Sequence, residues 1–259
     1  MSPKKKSNII KIKSDISNNF IYVKNKHNGT SQMWFTDSIE HMEPTSYQTI
    51  YNKYNLDKFY LTYFYPLFTC FNYINGAHIK KCLCIGLGGG HIPLFLQKKY
   101  PNLHIDVVEI DGGVYTASKY MGFSESNTIK VYIEDGINYI AKVKYIYNII
   151  IIDLDGEESF NGFDFKNVSN ILQENGILVI NSYFTNKNDG LKKRLSHVFK
   201  CIKHYELDHN DVFLCRKNLN EFQKMIQPIT NITLSPIFDK YRYEFIDIMN
   251  SYKSKIILS

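Results

Sequence analysis

Apolar and polar positions alternate along three short runs near the start of the chain, Ile9 to Lys13, Phe20 to Lys26 and Ser31 to Thr36. A two-residue period predicts strands. Asn28-Gly29 lies between the last two, and that dipeptide is the strongest short hairpin signal. A small antiparallel sheet is therefore expected first. The period then changes: Tyr60, Leu61, Phe64, Leu67, Phe68 and Phe71 recur at helical spacing within the almost charge-free stretch Phe59 to Ile74. This stretch is shorter than a membrane span and contains Pro66, so a buried helix is expected.

From Lys81 onward strands and helices alternate. Lys81 to Ile85 predicts a buried strand ending in Gly86-Leu87-Gly88-Gly89-Gly90. Ile92 to Tyr100 follows as a helix, with Pro93 in its first turn, where a missing N–H costs nothing. Leu103 to Val108, Ile129 to Ile133, Tyr147 to Asp153 and Gly176 to Asn181 predict four more strands. Ile149 to Ile152 is apolar without alternation, as in a strand covered on both faces. Val198 to Leu207 and Asp211 to Arg216 predict a closing hairpin. Ile237, Tyr241, Phe245, Ile248, Met249 and Tyr252 have helical spacing near the end.

The expected fold class is α/β: a Rossmann-like, mostly parallel sheet with an antiparallel edge strand, preceded by a small antiparallel β domain. The expected division is 1–50 for the small sheet, 51–217 for the Rossmann-like domain and 218–259 for a helical extension. In such sheets ligands lie at the carboxyl ends of the strands. Those ends carry Gly86 to Gly90, Glu109, Asp135-Gly136 and Asp153, so separate segments converge on one crevice.

Composition narrows the classes. With 259 residues, 44% hydrophobic and 22% charged, the chain can bury a proper core. The net charge of +6 comes from scattered lysines, which reads as a solvated basic surface rather than a nucleic-acid site. Five cysteines, at 70, 82, 84, 201 and 215, are odd in number and lack zinc spacing. A reducing, cytoplasmic setting is expected. Met1 to Ser7 carries three lysines with no apolar run behind them, unlike a secretory signal. No membrane segment and no metal cluster is expected.

Small residues after the first strand of the main sheet let a ligand approach the backbone, and the free N–H groups of the following helix face it. Glu109, at the end of the next strand, can accept from two ribose hydroxyls. A dinucleotide fingerprint wants glycine at its sixth position, where this chain has His91. The pattern suits S-adenosylmethionine (SAM) or a relative better than NAD.

With these segments placed, the chain resembles the polyamine aminopropyltransferase (spermidine synthase) superfamily from about Ser14 to Arg216. Ser14 to Val23 is similar to its first strands, Ser46-Tyr47-Gln48 to its Ser-Tyr-Gln, Glu109-Ile110-Asp111 to its ribose-binding Glu-Ile-Asp, Asp135-Gly136 to its adenine-reading Asp-Gly, and Asp153 to its catalytic aspartate. Two positions depart. Gly89 stands where the family's glycine turn has an aspartate, and Asp153-Leu154-Asp155-Gly156-Glu157 replaces Asp-Ser-Ser-Asp-Pro. Both departures match a branch with the turn Gly-Leu-Gly-Gly-Gly-x-Leu-Pro, which includes the C-terminal domain of a eukaryotic methyltransferase that modifies an elongation factor.

The turn aspartate of aminopropyltransferases neutralises the ammonium of decarboxylated SAM, whereas SAM carries a carboxylate on the same tail. Two like charges ~4 Å apart cost on the order of 1 kcal/mol in water and about 4 at an intermediate effective dielectric. An aspartate at position 89 would attract the first ligand and repel the second, and glycine removes both effects. The resemblance therefore implies methyl transfer from SAM to an amine-bearing acceptor, a small molecule or a protein, in a homodimer. Gly86, Gly88, Gly90, Glu109, Ile110, Asp135, Gly136 and Gln48 would hold the cofactor. Asp153 and Tyr47 would be catalytic, and Asp155 and Tyr47 would line the acceptor side. The alternatives are aminopropyl transfer from decarboxylated SAM and a non-catalytic nucleoside-binding module. No Asn-Pro-Pro-Tyr motif follows Asp153, which counts against nucleobase methylation.

Overall fold

A computed structural model describes residues 9–43, 48–74, 79–154, 157–183, 189–219 and 242–258. The first sheet is antiparallel and ordered β1 (Ile9–Lys13), β2 (Phe20–Asn25), β3 (Thr30–Thr36) and β4 (Thr49–Asn52). The main sheet has eight strands. From one edge to the other they are β12 (Lys253–Leu258), β10 (Cys201–Glu206), β11 (Asn210–Arg216), β9 (Leu172–Tyr183), β8 (Tyr147–Leu154), β5 (Lys81–Ile85), β6 (His104–Glu109) and β7 (Ile129–Ile133). The five strands from β9 to β7 pair in parallel, and β11, β10 and β12 pair antiparallel in turn. The fold class is thus α/β with the small antiparallel sheet in front.

The helices are α1 (Phe64–Phe68), α2 (His91–Lys99), α3 (Gly112–Met121), α4 (Gly136–Lys142), α5 (Phe165–Asn170), α6 (Asp189–Ser196) and α7 (Arg242–Ser251). Among the described residues no helix is long and apolar enough to cross a membrane.

Burial explains why β8 has no alternation. Ile149 and Ile151 enter a core with Phe64, Phe68 and Phe95, while Ile150 and Ile152 enter a second core with Phe160 and Phe163 on the other face. A third cluster joins Ile21, Val23, Met33 and Tyr51 of the small sheet to Val114, Ala117 and Met121 of α3. Burial of the isoleucine, valine and methionine side chains among them, each worth about 1.5–3 kcal/mol, clamps the small sheet to the second parallel crossover.

Two expectations change. The buried helix of Phe59 to Ile74 shrinks to α1 followed by a 3-10 turn over Thr69–Asn72, with Phe64, Leu67, Phe68 and Phe71 buried in the core as expected. After Asn218 the expected helical extension holds α7, but the chain then turns into β12, which pairs with β10 so that Ile256 lies opposite Lys203. Ile256 and Ile257 are β-branched and gain partners at the sheet edge, so the chain becomes a strand where the helical spacing ends. Ile237 and Tyr241 lie outside the described residues.

The chain runs β5, β6, β7 toward one edge and then crosses back to β8 on the other side of β5. Strand order reverses there, so the carboxyl ends of β5 and β8 frame a crevice.

Candidate cofactor and acceptor site

The glycine turn leaves β5 at that reversal. The Gly86 N–H donates to the Val108 carbonyl at 2.8 Å, and its φ of 92° is a left-handed value that glycine adopts without strain. A Cβ at residue 86 would stand 2.2 Å from the Asp153 carbonyl oxygen. The turn and the end of β8 are thus in direct backbone contact, and no larger residue fits. Gly86 and Gly88 remain half-buried, whereas Gly90 is buried against the Phe123 ring.

The small sheet braces the turn at Gly89. The Tyr51 hydroxyl donates to the Gly89 and Met121 carbonyls at 3.1 and 3.2 Å, and the Gly89 N–H donates to Thr49 Oγ1 at 3.2 Å. His91 opens α2 in a nest formed by Tyr51, Phe59, Phe64 and Phe95, stacked on Tyr51 at 5.0 Å. Its Nε2 bonds the Leu56 carbonyl at 2.8 Å. Burial pushes the imidazole pKa down to about 4, so it is a neutral packing group facing away from cofactor chemistry.

Glu109 ends β6 as a buried residue, 7% exposed. Oε2 accepts from the Leu87 N–H at 2.9 Å and Oε1 from the Asp111 N–H at 3.0 Å. Burial raises its pKa, and the N–H groups of Asp111, Leu87 and Gly88 pull it back. A carboxylate has about four acceptor positions, so these bonds orient it and leave capacity for hydroxyl donors. Asp111 is structural: it caps α3 through Gly113 N at 2.8 Å and takes Ser14 Oγ at 2.7 Å and Asp15 N at 2.9 Å. It therefore ties the β1–β2 loop to the Glu109 end of the sheet.

Ile110 and Ile133 are 46% and 48% exposed. Strand-end isoleucines ordinarily join a core, yet these two form apolar ledges beside Glu109. Asp135 caps α4 with Oδ1, which accepts from Ile137 N and Asn138 N at 2.8 and 3.0 Å. A Cβ on Gly136 would meet Ile85 at 2.7 Å, so that glycine lets α4 start close to β5. The half-buried Gly86 and Gly88, a buried acid and two exposed apolar ledges suit the polarity of an adenosyl group.

Asp153 lies half-buried at the end of β8. Its Oδ1 accepts from Asn181 Nδ2 at 2.7 Å and its Oδ2 from the Tyr63 hydroxyl at 3.2 Å. Burial, then the neighbouring Asp153 charge, holds the Tyr63 hydroxyl well above the ordinary phenol range, so it stays protonated and donates. Gln48 is exposed, with its N–H on the Met33 carbonyl at 2.9 Å. Tyr47 and Asp155 lie outside the described residues, and Glu158 is exposed on the following 3-10 turn.

Tyr63, Asn181, Asn210, Thr49 and Tyr51 were not singled out by sequence reasoning. Asn181 carried a usable signal, a lone amide ending the apolar run Gly176 to Ile180. Tyr63 carried none, since its stretch reads as uniform core.

A family model described as "Spermine/spermidine synthase domain" matches residues 69–205. Among curated proteins, the human "eEF1A lysine and N-terminal methyltransferase" is 30% identical over 168 residues, covering 56% of this chain and 24% of that protein. The "Polyamine aminopropyltransferase" of Vibrio vulnificus (strain CMCP6) is 34% identical over 117 residues, covering 42% of this chain and 39% of that protein. The chain thus spans well under half the length of these relatives. Among solved structures, human Methyltransferase-like protein 13 in complex with SAH superposes with a TM-score of 0.55 at 23% identity, covering 73% of this chain and 91% of that one. Spermidine synthase from Thermotoga maritima superposes with a TM-score of 0.58 at 19% identity, covering 88% and 79%. Both structural likenesses bear on the fold alone.

Proposed function

The chain belongs to the spermine/spermidine synthase domain family, and from that premise we propose that it is a SAM-dependent methyltransferase acting on an amine-bearing acceptor. The observation that carries the reading is the glycine turn without an acid: Gly89 holds the position of the family's turn aspartate, and its N–H meets the uncharged Thr49 hydroxyl. Identity of 30% to a protein named as a lysine and N-terminal methyltransferase supports the same choice and suggests a protein lysine or terminal amine as acceptor. A small polyamine is the other acceptor of matching chemistry.

SAM, when bound, supplies an electrophilic methyl group on a sulfonium. The chain's part is to bind, orient and handle one proton. Gly86, Gly88 and Gly90 shape the turn under the methionine and ribose portion. Glu109 would accept from the ribose hydroxyls, Ile110 and Ile133 would flank the adenine, and Asp135 would accept from its amino group, with Gly136 and Gln48 alongside. Asp153, held by Tyr63 and Asn181, attracts the acceptor ammonium, takes its proton and aims the amine lone pair. Alignment of nucleophile and methyl group should supply much of the acceleration. Tyr47 and Asp155 belong to the acceptor side by family likeness. A cytoplasmic, reducing setting agrees with five buried cysteines that form no disulfide among the described residues, and a homodimer is part of the proposal on the family likeness.

Aminopropyl transfer is the second reading, favoured by Ser46-Tyr47-Gln48 and by the Vibrio relative. The by-product decides: incubation with each donor and an amine acceptor should release S-adenosylhomocysteine. Release of methylthioadenosine instead would refute methyl transfer. Absence of turnover on every acceptor would leave a nucleoside-binding module.

A further inference from the structure

Thr49 is the first residue of β4, opposite Met33, and its side chain reaches across to the glycine turn. A Cβ at residue 88 would stand 2.9 Å from Thr49 Oγ1, and one at residue 89 would stand 2.6 Å from Thr49 Cγ2. Any side chain at position 89 would therefore project toward Thr49. The threonine side chain fills the space into which an acid of the turn would point.

The hydrogen bonding gives this hydroxyl a direction. Oγ1 accepts from the Gly89 N–H at 3.2 Å, and among the described residues its own proton has no acceptor. The residue is 9% exposed, beside the half-buried Gly88, so the proton is largely shielded from water yet next to the open part of the turn. A hydroxyl already committed as an acceptor from a backbone N–H presents a donor, and a donor complements an anion. No acid of the turn competes with it.

We propose that Thr49 is a specificity-determining residue whose hydroxyl donates to the carboxylate of the cofactor's amino-acid tail. The inference rests on the methyltransferase reading and adds a positive selection for SAM to the missing repulsion at Gly89. An ammonium alone at that place gains only a neutral acceptor that water can replace. The carboxylate gains a charge-assisted bond.

Calorimetry with SAM, decarboxylated SAM and methylthioadenosine, which lacks a charged tail, tests it on wild type, Thr49→Val and Thr49→Ser. Valine keeps the shape and removes the donor. SAM should bind Thr49→Val about tenfold more weakly, the size of one charge-assisted hydrogen bond. The other two ligands should change by less than about twofold on the same scale, and Thr49→Ser should recover SAM affinity. Equal weakening of all three ligands would mean that Thr49 merely supports the turn and would overturn the inference, as would unchanged SAM affinity in Thr49→Val. A wild-type preference for decarboxylated SAM would sink the methyltransferase reading and this inference together. A wild-type preference for SAM that survives undiminished in Thr49→Val would sink only the role of Thr49.

Discussion

Asn181 donates its side-chain amide to the Asp153 carboxylate at 2.7 Å, while its own carbonyl oxygen accepts from Asn210 at 3.0 Å. An ionised carboxylate only accepts, so the NH2 end of Asn181 faces Asp153 and its oxygen is left for the Asn210 amide. Asp153 and Asn181 are direct neighbours on β8 and β9, so the geometry is set by strand register. Asp153 must meet this donor as an acceptor, the form a proton-accepting group needs. Asn181→Leu should lower kcat by about tenfold to a hundredfold, the loss of one bond to a charged group. The acid limb of the pH–rate profile should move to higher pH, with SAM affinity little changed. Asp153→Asn should cost about a hundredfold or more and also leave SAM affinity intact. Steady-state kinetics alongside calorimetry separates the two effects, and an unchanged turnover in Asp153→Asn would contradict the mechanism.

Gly89→Asp should weaken SAM binding and strengthen binding of decarboxylated SAM. The new Cβ also meets Thr49 and Met121 within 3 Å, so steric loss must be separated from charge. Gly89→Asn has nearly the same size and no charge. A SAM affinity lower in Gly89→Asp than in Gly89→Asn by about five- to tenfold would match a like-charge cost of about 1 kcal/mol. Equal affinities in the two variants would remove the electrostatic account.

Cofactor binding should depend on pH through Glu109. Its pKa is raised by burial in the free protein, and ribose hydroxyls donate best to the ionised form. Binding therefore releases a proton as pH falls into this titration, and affinity declines on acidification. Glu109→Gln should bind more weakly at neutral pH and lose that pH dependence. Calorimetry in buffers of different ionisation enthalpy counts the proton directly.

His91 gives the fold an acid limit. Its pKa falls to about 4 in the folded state, below the unfolded value near 6.5. The unfolded chain thus binds the proton first, and stability is lost as pH drops from about 6.5 to about 4. The loss is about 3 kcal/mol at the lower end. Glu109, with its raised pKa, contributes in the opposite sense, since its stabilisation is present at low pH and lost as pH rises. Urea titrations across this range should show a steeper acid loss for wild type than for His91→Phe, which fits the aromatic nest. Parallel slopes would contradict the assignment.

Periodicity along the chain determined three strands of the small sheet, the main sheet apart from β12, the buried β8 strand and the turn between β5 and α2, because those features depend on neighbours in sequence. It also determined that Gly86, Glu109 and Asp153 end strands on one side of a parallel sheet, since each ends its run of apolar residues, with Asp135 two residues past the end of β7. Tertiary structure alone decided what stands beside them. Tyr63 and Asn181 are 90 and 28 positions away from Asp153, and Thr49 is 40 away from Gly89. Their roles arise from strand register and from the docking of the small sheet on α3, which local spacing does not encode. The same holds for β12, where an edge with open backbone bonds captured a segment whose preceding pattern was helical.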